Sequence, residues 1–397
     1  MANKERENFY RGTTLIVDNT KTSFVDLLEL HLSRSNLSFE DFINQHQHQI
    51  YHLCYNTKKC CQCTPGYILP NNRILHYPQL EVLFDKYAKK PGHSKPVNRS
   101  DFCCAKILIG ITTALLDITL ARTLLVNLCN DVFWYSCLIV PSLSLEDFLN
   151  QNKHTIYHLR EPNVPCCQCQ PGFIFPVTSP LLDLQSWKFL FNLPELPCQH
   201  HRMVPSDLVC TVSASRGIAV RHLSDYLTKL LIEQCCPLRK TIEMLIQMRN
   251  MIQGHASEGR ISDADYGGYI LDIESGIMEI AKVCKNEAAA KQSLSDIKTR
   301  SLDETVCVQY QNMLLEQIQK ETQLEEKLDN IAGQLPEQIE LSLNKAFRNN
   351  MPDIVEQSVQ LAVKKIYEPN SKLTIGNILQ LLKIIDPYFL TFHKAAG

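Results

Sequence analysis

The residues best suited to chemistry in this chain are histidines and cysteines that recur in a fixed order. His48 and His52 are four positions apart, which puts both imidazoles on one face of a helix. Cys60, Cys61 and Cys63 follow closely, and Cys104 lies further on. The order repeats in His154, His158, Cys166, Cys167 and Cys169, with Cys210 further on. Imidazole and thiolate donors without carboxylates suit zinc in a tetrahedral, structural site. Such an ion would staple a loop with too few apolar residues to hold itself. Several donor sets fit the spacing, for instance His48 or His52 with Cys61, Cys63 and Cys104. Cys198, His200 and His201 are further candidates in the second series. The competing reading makes the cysteines small buried hydrophobes and the histidines ordinary helix residues. A catalytic metal fits less well, because no carboxylate-bearing metal motif accompanies these donors.

A second group is Arg249, Asn250 and His255, near the end of a strongly amphipathic stretch. Arginine is a natural phosphate ligand, and histidine transfers protons near neutral pH. Together they could stabilise and protonate a phosphodiester without a metal. Residues six apart on a regular helix do not share a face. Gly254 would have to end the helix before His255, or two chains would have to share the site. The competing reading is a solvated arginine and a helix-terminal histidine facing the dipole.

The elements that carry these groups come in two copies. Leu37–Leu53 reads LSFEDFINQHQHQIYHL, and Leu143–Leu159 reads LSLEDFLNQNKHTIYHL, an offset of 106. The match runs on through Cys60-Cys61-Gln62-Cys63 and Cys166-Cys167-Gln168-Cys169, each followed by Pro-Gly and an aromatic. One residue is gained before Leu83-Phe84, matched by Leu190-Phe191. The register is read as returning at Cys104 and Cys210, then at Cys129 and Cys235. Each copy opens with a helix that Ser38 or Ser144 caps, with Asp41 or Asp147 three residues on. The Cys-rich, Pro-Gly stretch is a loop. Further helices are expected over Ile107–Leu128 and Ile218–Ile232. Leu238–Met251 reads as a strong helix, and Ser262 with Asp265 starts another that runs to about Cys284.

Residues 286–335 change character and become rich in Glu, Gln and Lys. Cys307, Tyr310, Leu314, Gln317, Glu321, Leu324, Leu328, Ile331 and Leu335 step by three and four, a heptad with polar breaks. That predicts a coiled coil or a long amphipathic helix. Pro336 ends it, and a small helical tail follows. The domain reading is therefore an N-terminal segment 1–35, a truncated repeat 36–140, a complete repeat 141–285, the long helix 286–335 and a helical tail 336–397. The fold class is all-α, with tandem helical bundles and Cys/His-rich loops.

Composition narrows the classes. The chain has 397 residues, 45% hydrophobic and 21% charged, which is globular rather than disordered. A formal charge of −2 provides no global field for nucleic acid or anionic lipid, so any such contact must be local. The first twenty residues lack the apolar core of a secretory signal. The apolar stretch Ala105–Leu128 carries Lys106, Asp117 and Arg122, and reads as a buried helix rather than a membrane span. Seventeen cysteines, an odd number and several adjacent, fit a reduced cytoplasmic compartment and metal ligation better than a disulfide framework.

One resemblance organises the second copy. Ile246-Gln247-Met248-Arg249-Asn250, Gly254-His255-Ala256, Ile261-Ser262-Asp263 and Asp272-Ile273-Glu274 resemble the HEPN domain, in the branch found in an RNA-binding RING ubiquitin ligase and its invertebrate relatives. The upstream His-Thr-Ile-Tyr-His, Cys-Cys-Gln-Cys, Trp187 and Leu196-Pro197-Cys198-Gln199-His200 resemble the N-terminal extension of those relatives. The likeness covers about residues 13–285. It implies an all-helical bundle, often a homodimer. It also implies a metal-independent endoribonuclease, with His255 as acid or base, Arg249 stabilising the phosphorane and Asn250 orienting them. The first copy lacks the Arg-to-His motif, and no RING pattern follows. Two functions are therefore expected: an RNA-binding or RNA-cleaving module in defence or stress response, or a dimeric scaffold for protein partners with zinc-stapled loops. No membrane partner is expected.

Overall fold

A computed structural model describes residues 2–57, 59–90, 102–175, 179–192 and 209–299, together with isolated positions 308, 312 and 315. Residues 1–315 form one compact unit. The unit 316–397, most of the heptad and the expected tail lie outside the described residues.

The described chain is mostly helical. Helix α1 (Ala2–Thr14) runs through a wider π-type turn, Leu15–Thr20, into α2 (Lys21–Ser35). Asn36 ends α2 in the left-handed region, φ 52°, where asparagine is tolerated better than most residues. Helices α3 (Phe39–Gln45) and α4 (Gln47–Cys54) follow, then a long loop, the short α5 (Tyr77–Glu81) and the antiparallel strands β1 (Phe84–Lys89) and β2 (Ala105–Ile107). Helices α6 (Ile118–Leu128) and α7 (Asn130–Trp134) lead to a second π-type turn, Tyr135–Ile139. The pattern then recurs in α8 (Leu145–Arg160), α9 (Leu184–Leu190), strands β3 (Phe191–Asn192) and β4 (Ser213–Ala214), and α10 (Asp225–Cys235). The long helices α11 (Pro237–Gly254) and α12 (Asp263–Cys284) and the shorter α13 (Glu287–Thr299) complete the described fold. Among the described residues, no helix is long and apolar enough to cross a membrane.

Caps explain where these helices start. Ser38 Oγ accepts from Asp41 N at 3.0 Å, Ser144 Oγ from Asp147 N at 3.1 Å, and Ser262 Oγ from Asp265 N at 3.1 Å. Each satisfies an amide that the first turn leaves without a partner. Pro237 opens α11, where a missing N–H costs nothing.

Caps also move two expected boundaries. The helices read from Ile107 and Ile218 begin only at Ile118 and Asp225. Asp117 accepts from Leu120 N at 2.6 Å, and Ser224 from Leu227 N at 3.2 Å. The residues before Asp117 build strand β2 and a turn instead. In strand conformation the alternate residues Ala105 and Ile107 can both face the hairpin side of the sheet.

The hairpins correct the repeat register. Phe84 pairs with Ile107, and Phe191 pairs with Ala214. Gly110 N donates to Glu40 Oε1 at 2.7 Å, and Gly217 N to Glu146 Oε1 at 2.5 Å. Every later landmark keeps the offset of 107 that separates Gly110 from Gly217, including the caps Asp117 and Ser224. In space, Cys210 therefore corresponds to Cys103, not Cys104, and Cys236 to Cys129 in place of Cys235. Thr211 stands where the first copy has Cys104.

The bundle does not respect the boundary drawn at residue 35. Asn8 Nδ2 donates to Ile261 O at 3.2 Å and to Asp263 Oδ1 at 2.8 Å, while Ile261 N donates to Glu5 O at 3.0 Å. Asn286 Nδ2 reaches Asp26 Oδ2 at 2.7 Å. Phe9, Leu15, Ile16, Phe24, Leu27 and Leu28 are all buried. The segment is thus core, and its apolar residues could not stay in water without cost. On the other side, Arg122 of α6 grips Glu243 of α11 with two bonds of 2.7 Å.

Helices α11 and α12 approach closely at Gly276. A Cβ there would lie 2.8 Å from Met244 Cε and 3.1 Å from Leu245 Cγ. Gly276→Val should therefore overpack this crossing and cost roughly 1–3 kcal/mol. Urea unfolding should show a lower midpoint with an unchanged slope. An unaltered midpoint would mean that the helices are not in this contact.

Candidate metal centres

The donors are brought together by two local devices. The first is the helix itself. His48 and His52 lie one turn apart on α4, and His154 and His158 on α8, so their rings meet with centroids 4.8 Å apart in both copies. The second is the loop that follows. It leaves the helix and returns to its end: Ile74 N and Leu75 N donate to Leu53 O at 2.8 and 2.9 Å. In the second copy, Leu181 N and Leu182 N donate to Leu159 O at 2.7 and 3.0 Å.

Within the loop, two turns aim the side chains. Cys63 N donates to Cys60 O at 3.3 Å, and Cys169 N to Cys166 O at 3.1 Å, which brings the outer thiols of each Cys-x-x-Cys stretch together. Pro65-Gly66 and Pro171-Gly172 form the next turn, closed by Tyr67 N to Thr64 O at 3.1 Å and Phe173 N to Gln170 O at 3.0 Å. The glycines have φ of 85° and 82°, the left-handed value that the third position of a type II turn requires. This turn lays the Tyr67 ring 4.7 and 5.2 Å from the His48 and His52 rings. Phe173 lies 4.8 and 5.0 Å from His154 and His158.

The result is two groups, His48–His52–Cys60–Cys63 and His154–His158–Cys166–Cys169. In each, the four donor atoms lie within 4.8 Å of one another, an arrangement that could hold a metal ion. His48 Nε2 and His52 Nε2 are 3.5 and 3.1 Å from Cys63 Sγ, which is 3.7 Å from Cys60 Sγ. His154 Nε2 and His158 Nε2 are 3.5 and 3.2 Å from Cys169 Sγ, which is 3.8 Å from Cys166 Sγ. The two Nε2 atoms of the second group are 3.2 Å apart.

The surroundings favour the ligating form of the histidines and turn backbone N–H groups towards the sulfurs. His52 Nδ1 meets Tyr55 O at 3.0 Å, and His158 Nδ1 meets Glu161 O at 3.2 Å. A carbonyl can only accept, so Nδ1 carries the proton and the Nε2 lone pair faces the cluster. Backbone N–H groups point at the sulfurs: Cys60 N to Cys63 Sγ at 3.2 Å, Gln62 N to Cys60 Sγ at 3.3 Å, and their counterparts at 3.3 and 3.4 Å. Burial, then the neighbouring imidazole, lowers the pKa of His48 and of His154. Burial lowers that of His158 against the opposing pull of the Glu161 carbonyl. These rings are therefore neutral at pH 7. Burial raises the Cys60 thiol and pushes Cys166 up to about 11. An ion would have to displace those protons.

The fold sorts the sequence candidates. Both histidines of each copy join one group, rather than one or the other. Cys61 and Cys104 do not join His48 and His52; they meet each other beside Cys103. Cys167 and Cys210 fall outside the second four-donor group, and Cys210 is half-buried near the base of its hairpin. Cys198, His200 and His201 lie outside the described residues. Cys103 was not singled out from the sequence, although its adjacency to Cys104 was a signal.

Arg249, Asn250 and His255 are placed differently. Helix α11 does end at Gly254, and His255 follows as its cap, with its N–H on Ile252 O at 3.1 Å. Arg249 Nε and Nη2 donate to Asn250 Oδ1 at 3.1 and 2.9 Å, and Nη1 to Thr119 Oγ1 at 2.7 Å. The His255 ring lies 6.4 Å from that of Tyr269.

The lowered histidines set a pH dependence for the metal-free chain. Their folded pKa lies below the unfolded value of 6.5, so the unfolded state binds protons first. Their stabilising contribution is complete above pH 6.5 and is lost as the pH falls through the folded values. In chelator, the melting temperature should fall between pH 7 and pH 5. The double variant His48→Gln, His154→Gln should flatten that slope, and an equal slope in both proteins would refute the assignment.

Comparison with known proteins returned nothing: no protein-family model, no curated protein and no solved structure matches the chain. The likeness to HEPN domains rests on the residues quoted above.

Proposed function

We propose that this chain is a scaffold of two helical repeats, each stapled by a structural zinc ion held by His48, His52, Cys60 and Cys63 or by His154, His158, Cys166 and Cys169. The observation that carries the reading is the spacing of the donors. Zinc takes bonds of about 2.3 Å to thiolate and about 2.0–2.1 Å to imidazole. Tetrahedral geometry then separates two sulfurs by about 3.8 Å, sulfur and nitrogen by about 3.6 Å, and two nitrogens by about 3.3 Å. The sulfur pairs here are 3.7 and 3.8 Å apart, the histidine Nε2 atoms lie 3.1–3.5 Å from Cys63 Sγ or Cys169 Sγ, and His154 Nε2 and His158 Nε2 are 3.2 Å apart. Four protein donors leave no open coordination position, which suits a staple rather than a catalyst. In this reading the helical bundle is the working surface, assembling with a second copy of the chain and with protein partners in the reduced cytoplasm.

A second reading keeps the RNA chemistry implied by the HEPN resemblance. It is favoured by the pairing of Arg249 with Asn250 and by the helix end that frees His255 from the α11 register. Arg249 would neutralise a phosphate, and His255 would move the proton of a 2′-hydroxyl.

Metal analysis of the full chain tests the first reading. His52→Ala and His158→Ala should each release one zinc equivalent. Chelation should open the loops after α4 and α8 to protease before the bundle melts. Unchanged zinc content in both variants would end the proposal. Incubation of zinc-loaded protein with single-stranded RNA, without other divalent ions, tests the second. Cleavage that disappears in Arg249→Ala and His255→Ala at unchanged helicity would support a nuclease, whereas no cleavage by the wild type, with concentration-dependent dimers in sizing, would leave the scaffold.

A further inference from the structure

A second cluster of thiols lies in the first repeat beside the four donors, with Cys103 close to Cys60. Cys61 Sγ is 3.0 Å from Cys103 Sγ and 2.8 Å from Cys104 Sγ, and the last two are 3.7 Å apart. Three elements converge here: the Cys-x-x-Cys turn, the chain entering β2, and the end of β1. Lys90 N donates to Cys104 O at 2.9 Å and ties the hairpin at this point. Cys103 and Cys104 are buried and Cys61 is half-buried, so the cluster has one side towards solvent.

Packing alone does not require three thiols here. The second repeat builds the same hairpin with Cys167 and Cys210 at two of the positions and Thr211 at the third. A disulfide would use two of the sulfurs and strand the third. A soft cation would use all three, since thiolates select zinc and cuprous ions over hard ions. Burial raises the Cys103 thiol and pushes Cys104 up to about 11, so an ion would have to displace their protons, and neighbouring donors then face the sulfurs. Cys61 N donates to Cys103 Sγ at 3.3 Å, Gln62 Nε2 approaches Cys104 Sγ at 3.8 Å, and the Lys90 ammonium is close enough to interact with Cys104.

We propose that Cys61, Cys103 and Cys104 bind a further thiophilic cation, Zn2+ or Cu+, at a three-sulfur site distinct from the His48–His52–Cys60–Cys63 group. Each thiol gives its proton to solvent on binding. The half-exposed side at Cys61 leaves room for one small exogenous donor, such as water, on a zinc ion; a cuprous ion is satisfied by three sulfurs. The site stands on its own geometry and does not depend on the four-donor staples. It makes the two repeats unequal: the first is a place where ion supply or thiol oxidation can act, while Thr211 removes one sulfur from the matching position of the second.

Native mass spectrometry of the full chain, kept reduced and loaded with Zn2+ alone or with Zn2+ followed by Cu+, tests this. Wild type should carry one more ion than Cys104→Thr, a substitution that copies the residue at 211. Cys61→Ser should lose the same ion, and circular dichroism should show both variants folded. His52→Ala should lose a different ion, and the losses should add in the double variant. If the staples are wrong but this site is right, His52→Ala leaves the count unchanged while Cys104→Thr still lowers it. Equal counts of both ions in wild type and Cys104→Thr would overturn the proposal. So would alkylation of the denatured, metal-free protein under the same conditions that finds two of the three cysteines joined as a disulfide.

Discussion

The contact between two imidazoles on a helix and two thiols on the following loop is the constraint around which each repeat is arranged. The loops after α4 and α8 are closed at their base by bonds to Leu53 O and Leu159 O. Between those ends they hold little that could collapse by itself. Ile68 and Ile174, the aliphatic residues past the Pro-Gly turn, are 86% and 87% exposed. Among the described residues, what remains inside is the His/Cys group and the ring of Tyr67, or those of Phe173 and Phe175, laid against it. A loop of this kind carries a large ordering entropy. It needs either a core or a cross-link, and the side chains present here could hold a metal ion.

The helices that offer the histidines are in turn held by a bundle that shares its parts. Asn36 and Ser142 both end a helix in the left-handed region, with φ of 52° and 58°. Leu37 N returns to Leu32 O, and Leu143 N to Leu138 O, by the same bond. The stretch Asn130–Ile139 thus precedes the second repeat as α2 precedes the first. It also follows α6 as α11 follows α10, so one short helical stretch ends one copy and begins the next. His31 of α2 meets Asp131 of α7 at 2.5 Å and ties these two related positions together. In the first copy, α6 and α7 pack against α2, which precedes the repeat in the chain.

The Arg249–Asn250–His255 element occupies the opposite role. It lies at the end of α11, where Thr119 of the first repeat and Asn250 take up the guanidinium. The first repeat thereby contributes to the surroundings of a motif that it lacks itself. Fold and function separate at this point: the bundle needs α11 for its apolar face, from Leu238 to Ile252, whatever the polar end of the helix does.

Much of the local structure was legible without coordinates because it depends on neighbours in the chain. Serine followed three residues later by aspartate marked the starts of α3, α8 and α12, since a cap involves only its own first turn. Glycine marked the C-terminal limit of α11, and the Pro-Gly pairs marked the loops that carry Tyr67 and Phe173. The pairing of His48 with His52 follows from helical periodicity alone. The sorting of the cysteines does not. Cys60, Cys61 and Cys63 are equivalent in composition, and only the turn that folds Cys63 back on Cys60 sends Cys61 to a different partner. The register of the distant cysteine was likewise hidden, because one inserted residue can be absorbed anywhere in a loop, and the hairpin bonds alone show that Cys210 answers to Cys103. Several helix starts, the repeat and the donor chemistry can be read from the residues alone, while the starts of α6 and α10 cannot. Tertiary structure decided which donors meet, and that α1 and α2 pack into the bundle, because those choices depend on contacts between residues far apart in the chain.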